Sequence, residues 1–416
     1  MLIKDVSIVE DGRLLRNVNI AINESRIARV GQGVKDESGD DVVIDGSGKL
    51  AIPGLVNAHT HLAMTLFRGY ADDMELMPWL EEKIWPLEAK LTAEDVRWGV
   101  KLGCLEMIRS GITCYNDMYY FMDETARATK EMGLRAFLCE VLFDMRPDQI
   151  ERAEPFVRRW KGNELIAPAV GPHAVYTCSE ETFLKSKEIA EEHDVMLHIH
   201  LSETRSEVES FKKSSGKSPV EYLDSLGVLS DRVVAAHCTW LSPKDISIIA
   251  ERGVNVAHCS ISNHKLASGI APLDQLQMAG ANICLGTDGA SSNNSINLFQ
   301  EMKTTAIAQK CTHFRPDLFR AGEVWKMATE NAYVAFGLDL GLRAGALADL
   351  SLIDLRKPWF FPLTDENIVS HLVYSAQGGV DTTIVGGRVL MEGGVIPGEE
   401  EILARAQKQF NDLVAR

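Results

Sequence analysis

The chain of 416 residues holds no apolar run approaching the roughly 18 residues that a membrane-spanning helix needs. It also lacks an excess of positive charge: 43 Lys and Arg against 59 Asp and Glu leave a formal charge of −16. Proteins that grip nucleic-acid backbones concentrate cations to displace counterions, so nucleic acid is not an expected partner, although a small nucleoside is still open. No C-x-x-C pair occurs among the 8 cysteines, which sit mostly in apolar, strand-like runs and read as reduced, buried small hydrophobes of a cytosolic protein. Neither G-x-x-x-x-G-K-[ST] nor G-x-G-x-x-G appears in a strand-turn-helix setting, which disfavours a phosphate-loop or dinucleotide enzyme. The N-terminus alternates apolar and charged residues without the apolar core and small-residue cleavage site of a signal peptide, so a mature cytoplasmic protein is expected.

What is present is ordinary globular material: 45% hydrophobic, 25% charged, 32 Gly. The two ends differ in kind from the middle. Residues 1–50 and 345–398 carry short alternating segments with Gly-containing turns, the signature of strands and hairpins. Neither set suffices for a stable sheet alone, so they are expected to pair as one discontinuous β-sandwich. Between them, 51–344 alternates capped helices with short, nearly continuous apolar strands, as strands covered on both faces should be. Thr92 and Asp95 have capping-box spacing before a helical stripe that stops at Gly111, and Ser242-Pro243 opens a second such helix. Eight buried strands are expected, ending near His59, Asp117, Phe143, His173, Glu203, Cys238, Asn263 and Asp288. Eight closes a (β/α)8 TIM barrel; an open doubly wound sheet is the competing α/β fold. Residues 399–416 read as a charged surface helix.

The polar residues fall where the strands end, the face on which such barrels carry their active sites. His59-Thr60-His61 puts two imidazoles on one side of extended chain, able to reach one ion. Three further strand ends supply His198, His200 and Glu203, then His237, then Asp288. Imidazole nitrogen mixed with carboxylate oxygen suits a borderline divalent metal, zinc first, with iron and manganese as alternatives.

These residues resemble the amidohydrolase superfamily, and within it the 5-methylthioadenosine/S-adenosylhomocysteine deaminase family with the related 5′-deoxyadenosine deaminases. The motifs span the chain: Pro53-Gly54-Leu55-Val56-Asn57-Ala58-His59-Thr60-His61, His200-Leu201-Ser202-Glu203, Ala236-His237-Cys238, Ser262-Asn263-His264-Lys265-Leu266 and Gly286-Thr287-Asp288-Gly289. The resemblance implies a metal-dependent barrel with a small sandwich from both chain ends. It implies His59, His61, His200 and Asp288 as metal ligands, with His237 beside the metal water. The fourth strand has no lysine to bridge two ions, so one ion per subunit is expected. Glu203 would pass protons to the base and the departing amine, with His237 and Asp288 orienting and deprotonating water. Glu88 matches the glutamate that takes ribose hydroxyls, His173 a substrate-binding histidine, and Arg146 an arginine for the homocysteine carboxylate.

The implied reaction is hydrolytic deamination at C6 of adenine in 5′-modified adenosines. Glu140, in place of a second arginine, argues by charge against S-adenosylhomocysteine and for 5′-methylthioadenosine or 5′-deoxyadenosine. Met64, Trp79 and Trp85 are candidates for an apolar wall or lid. Ser291, Ser292, Asn293 and Asn294 would bind polar substrate atoms or cap a helix. His198 is expected one layer below the ligands, and His258 and His264 are expected to be structural. A homo-oligomer is expected. The rivals are a guanine or aminotriazine hydrolase of the same superfamily and, remotely, a metal-free structural relative.

Overall fold

In the computed structural model, which describes residues 1–34 and 42–416, the alternating middle of the chain forms eight parallel strands in sequential order. These barrel strands are Leu55–Thr60, Ile112–Tyr119, Arg135–Leu142, Ile166–Pro172, Met196–Leu201, Val233–His237, Asn255–His258 and Asn282–Leu285. The first two are buried at every residue, which is why their sequences lack the polar alternation of a one-faced strand. The eighth strand returns to the first, where the N–H groups of Thr287 and Asp288 donate to the His59 carbonyl at 3.1 and 3.0 Å. This (β/α)8 architecture excludes the open doubly wound sheet. Gly286 makes the seam possible: a Cβ there would stand 2.9 Å from the backbone nitrogen and Cβ of His59.

Local signals fix the helices. Thr92 accepts from the Asp95 N–H while the Asp95 carboxylate accepts from the Thr92 N–H, opening Ala93–Arg109. Ser242 and Asp245 repeat the exchange for Pro243–Arg252, which Gly253 ends with φ of 70°. The seventh strand is shorter than its sequence suggests. It stops at His258, and Ser260–Lys265 is helical. Ser260-Ile261-Ser262-Asn263 alternates like a strand, but its buried polar groups need partners. One helical turn brings Ser262 to Asp288 and Asn263 to His237.

Both chain ends meet in a second sheet. Its order is Arg388–Met391, Val380–Val385, Leu350–Asp354, Lys49–Pro53, Leu2–Glu10, Arg13–Asn23 and Arg26–Gly31, with Val43–Asp45 also paired to Leu2–Glu10. The join is the antiparallel pairing of Lys49–Pro53 with Leu350–Asp354. Ile3, Val6, Ile20, Ile27, Leu350, Leu352 and Ile384 form its own core. The last helix, Glu399–Ala415, buries Ile402, Ala406 and Leu413, and Arg416 binds both Asp95 oxygens at 2.7 Å. Among the described residues no helix is long and apolar enough to cross a membrane.

Candidate active site

At the C-terminal ends of the strands, four imidazoles and a carboxylate converge. His61 Nε2 lies 3.1 Å from His200 Nε2, and Asp288 Oδ1 lies 3.4 Å from both His59 Nε2 and His61 Nε2. His237 joins from the sixth strand, its ring centroid 5.4 Å from that of His59 and 5.6 Å from that of His200.

The outer ring nitrogens decide what the inner ones can do. His61 Nδ1 donates to the Met118 carbonyl at 2.6 Å, His200 Nδ1 to the His173 carbonyl at 3.0 Å, and His237 Nδ1 to Asn263 Oδ1 at 2.8 Å. A neutral imidazole carries one N–H, so each Nε2 presents a lone pair inward. His59 follows the same rule through His198, whose Nε2 lies 2.8 Å from His59 Nδ1. His59 Nε2 is buried and has no hydrogen-bond partner. Burial holds His61 and His200 below the usual histidine range and takes His59 down to about 4, so the rings are neutral donors of electron pairs. Lone pairs 3.1 Å apart with no proton between them repel; a cation among them removes the repulsion. The donor set therefore fits a divalent metal, with outer partners that fix each ring.

Asp288 sits with φ of 61°, an uncommon conformation for a non-glycine residue, and His237 with 71°. Three donors hold the Asp288 carboxylate: Ser262 Oγ at 2.6 Å, Ser292 Oγ at 2.9 Å and the Gly289 N–H at 2.7 Å. Burial works against its charge, but the close approach of His59 and the neighbouring imidazoles keep it well below the usual carboxylate range. Glu203 is buried, accepts from Ser268 Oγ at 3.2 Å, and has Oε2 3.7 Å from His237 Nε2. Burial raises Glu203 against the pull of His237, while the carboxylates of Glu203 and Asp288 raise His237 against its own burial. Both shifts favour retention of a proton by the pair.

A cleft of about 620 Å³, part of it open to solvent, rises from this cluster. Most of its wall is apolar: Leu76, Trp79, Leu80, Ile84, Trp85, Val141 and Phe143. Met64 and Ser292 also line it, whereas His258 and His264 do not. Ser291 donates to Met64 Sδ, Asn293 to the Thr287 carbonyl and Asn294 to Asp72, so those three support loops. His173 faces the cleft, its Nδ1 donating to Thr177 Oγ1 at 2.9 Å while burial lowers it to about 3, leaving a neutral ring with Nε2 free to accept. Glu88 lies buried in the wall and takes hydroxyl donors from Tyr119 and Tyr120, neither of which sequence reasoning had singled out. Arg146 is placed behind that wall, its guanidinium 4.9 Å from the Tyr120 ring centroid.

Glu140 corrects the charge argument against S-adenosylhomocysteine. Val141 and Phe143 face the cleft, so strand alternation sends Glu140 to the outer side. There its carboxylate accepts from the Met122 N–H at 3.2 Å and stands 3.5 Å from Arg152.

A barrel with this ligand set at its C-terminal rim defines a class, and residues 50–390 match the amidohydrolase family. The chain belongs to that family. It is 62% identical over 415 residues to the 5′-deoxyadenosine deaminase of Methanothrix thermoacetophila, covering 100% of both chains. It is 46% identical over 425 residues to 5-methylthioadenosine/S-adenosylhomocysteine deaminase 1 of Archaeoglobus fulgidus, covering 100% of this chain and 99% of the other. Among solved structures, an adenosine deaminase from Xanthomonas campestris with bound zinc superposes with a TM-score of 0.94 at 33% identity, over 100% of this chain and 98% of that one. The atrazine chlorohydrolase of Arthrobacter aurescens shares the fold at 24% identity and a TM-score of 0.90, over 98% of this chain and 99% of that one.

Proposed function

We propose that the chain is a metal-dependent aminohydrolase that replaces the C6 amino group of 5′-modified adenosines with oxygen, consuming water and releasing ammonia. The observation that carries this is the single cleft joining a cation-seeking cluster at its floor to a buried carboxylate in a mostly apolar wall. The relatives named 5′-deoxyadenosine deaminase support the same substrate class.

His59, His61, His200 and Asp288 would hold one zinc ion per subunit; the fourth strand ends in Val170-Gly171-Pro172 and offers no bridging ligand for a second. A divalent ion supplies Lewis acidity that eases deprotonation of water near neutral pH. Asp288 and His237 would orient that water and deprotonate it, its one proton passing to an Asp288 oxygen or to His237 Nε2. Glu203, whose burial favours its protonated form, donates to a ring nitrogen as C6 becomes tetrahedral; as a carboxylate it then takes the proton of the new C6 hydroxyl and hands it to the leaving amine while C6 becomes a carbonyl, and the proton first taken from water returns to Glu203. Glu88 accepts the ribose hydroxyls, His173 Nε2 meets the ribose or the base, and Arg146 acts through Tyr120. Residues 51–344 form the catalytic barrel, and 1–50 with 345–398 form a sandwich that carries no reacting group.

The apolar wall favours a small, uncharged 5′ substituent. Ammonia release from 5′-deoxyadenosine, 5′-methylthioadenosine, S-adenosylhomocysteine, guanine and an aminotriazine tests the assignment. Turnover should be highest with the first two; activity confined to guanine or the triazine would refute it. The enzyme is further taken as a cytoplasmic homo-oligomer, which light scattering and cell fractionation check.

A further inference from the structure

Glu88 poses a physical problem. A carboxylate buried in an apolar wall loses its hydration, and burial pushes this one up, to about 7 even with its neighbours pulling the other way. In the neutral form it would turn one acceptor oxygen into a donor and bind a pair of hydroxyls badly. Two neighbours oppose that outcome. Tyr119 donates to Glu88 Oε1 at 2.7 Å, and Tyr120 donates to Oε2 at 3.4 Å. Both phenols are themselves held well above the usual tyrosine range by burial and by the Glu88 charge, so they remain donors.

Consecutive strand residues ordinarily point to opposite faces. Here the second barrel strand ends at Tyr119 and the chain turns through Phe121, whose φ is 55°, so both hydroxyls reach one carboxylate. The Tyr120 ring is packed between the Arg146 guanidinium and the rings of Tyr119 and Phe143, whose centroids lie 5.0 and 6.4 Å away. Arg146 is also the cation that favours the Glu88 charge from outside the wall. Each carboxylate oxygen, having accepted one phenol, keeps a lone pair for the cleft.

We infer that Tyr119 and Tyr120 are positioning residues that hold Glu88 as a two-oxygen acceptor for a vicinal diol, and so select ribonucleosides over nucleosides lacking one of the two hydroxyls. This rests on the reading of Glu88 as the ribose carboxylate. The probes are 5′-deoxyadenosine and 2′,5′-dideoxyadenosine, compared by kcat/KM in the zinc-loaded enzyme. Wild type should prefer the diol. Tyr119→Phe should cut that preference at least about tenfold, the worth of one hydrogen bond to a charged group, chiefly through KM. Tyr120→Phe, with the longer bond, should cut it less, and the double variant most. In the Phe variants KM for 5′-deoxyadenosine should also begin to rise at higher pH than in wild type as the pH is lowered, because Glu88 protonates more readily. A merely structural role would not move that profile. Folding is checked by circular dichroism and Tm, and where turnover is too slow the deaminated products are compared by calorimetric binding. Wild-type preference and pH profile in the double variant would overturn the inference. If Glu88→Gln itself retained the preference, the ribose assignment would be the part that fails.

Discussion

The floor of the cleft and its wall are built differently. On the floor, His59, His61, His200, His237 and Asp288 come from or just after barrel strands, and each ring is pinned by a carbonyl, an amide oxygen or another imidazole. In the wall, Leu76, Trp79, Leu80, Ile84, Trp85 and Glu88 come from one excursion after the first strand. Reactive groups that must meet within a few ångströms are thus carried by the rigid sheet, whereas much of the apolar wall rides on a segment outside it, with Tyr119, Val141 and Phe143 contributed from the strands and their ends.

Breaking the floor should therefore cost most. Chelation should abolish ammonia release and zinc should restore it; His200→Ala should lower zinc content in metal analysis as well as activity. Glu203→Gln should keep its zinc yet lose about 10²–10⁴ in kcat, the usual span for a lost general acid–base group. Near-normal turnover would remove Glu203 from that role. Asn263→Ala takes away the acceptor that fixes His237 Nδ1, and a fall of about 10–100-fold in kcat/KM is expected. The outer side of the wall offers the contrast: Glu140→Gln should leave the ratio of rates on S-adenosylhomocysteine and 5′-deoxyadenosine unchanged, and a gain on the former would show that Glu140 reaches the substrate after all. Farthest away, Thr92→Ala should lower stability by about 1 kcal/mol in denaturant unfolding through loss of a helix cap, with kcat/KM unaltered.

The floor was legible in the sequence because its logic is local. His59 and His61 share a face by strand alternation, and apolar runs mark where each strand must stop. The caps at Thr92 and Ser242 were legible for the same reason. The wall was not. Alternation predicts that Tyr119 and Tyr120 diverge, and only the turn at Phe121 brings them together. Glu140 looked like a pocket residue because it stands where the resemblance places a second arginine; the face it occupies depends on the register of the strand. The seventh strand stops at His258 and not near Asn263, because Ser262 and Asn263 coil back to partner Asp288 and His237, a demand that lies elsewhere in the chain.

The pairing of Lys49–Pro53 with Leu350–Asp354 sets an order of events during synthesis. Until the ribosome has delivered the chain past residue 350, the strand that leads into the barrel has an open edge, and open edges invite pairing with other nascent chains. The early strands must wait through the making of the entire catalytic unit before their last partner arrives. Truncated or prematurely terminated products, which carry that edge permanently, are the species a cell would need to clear.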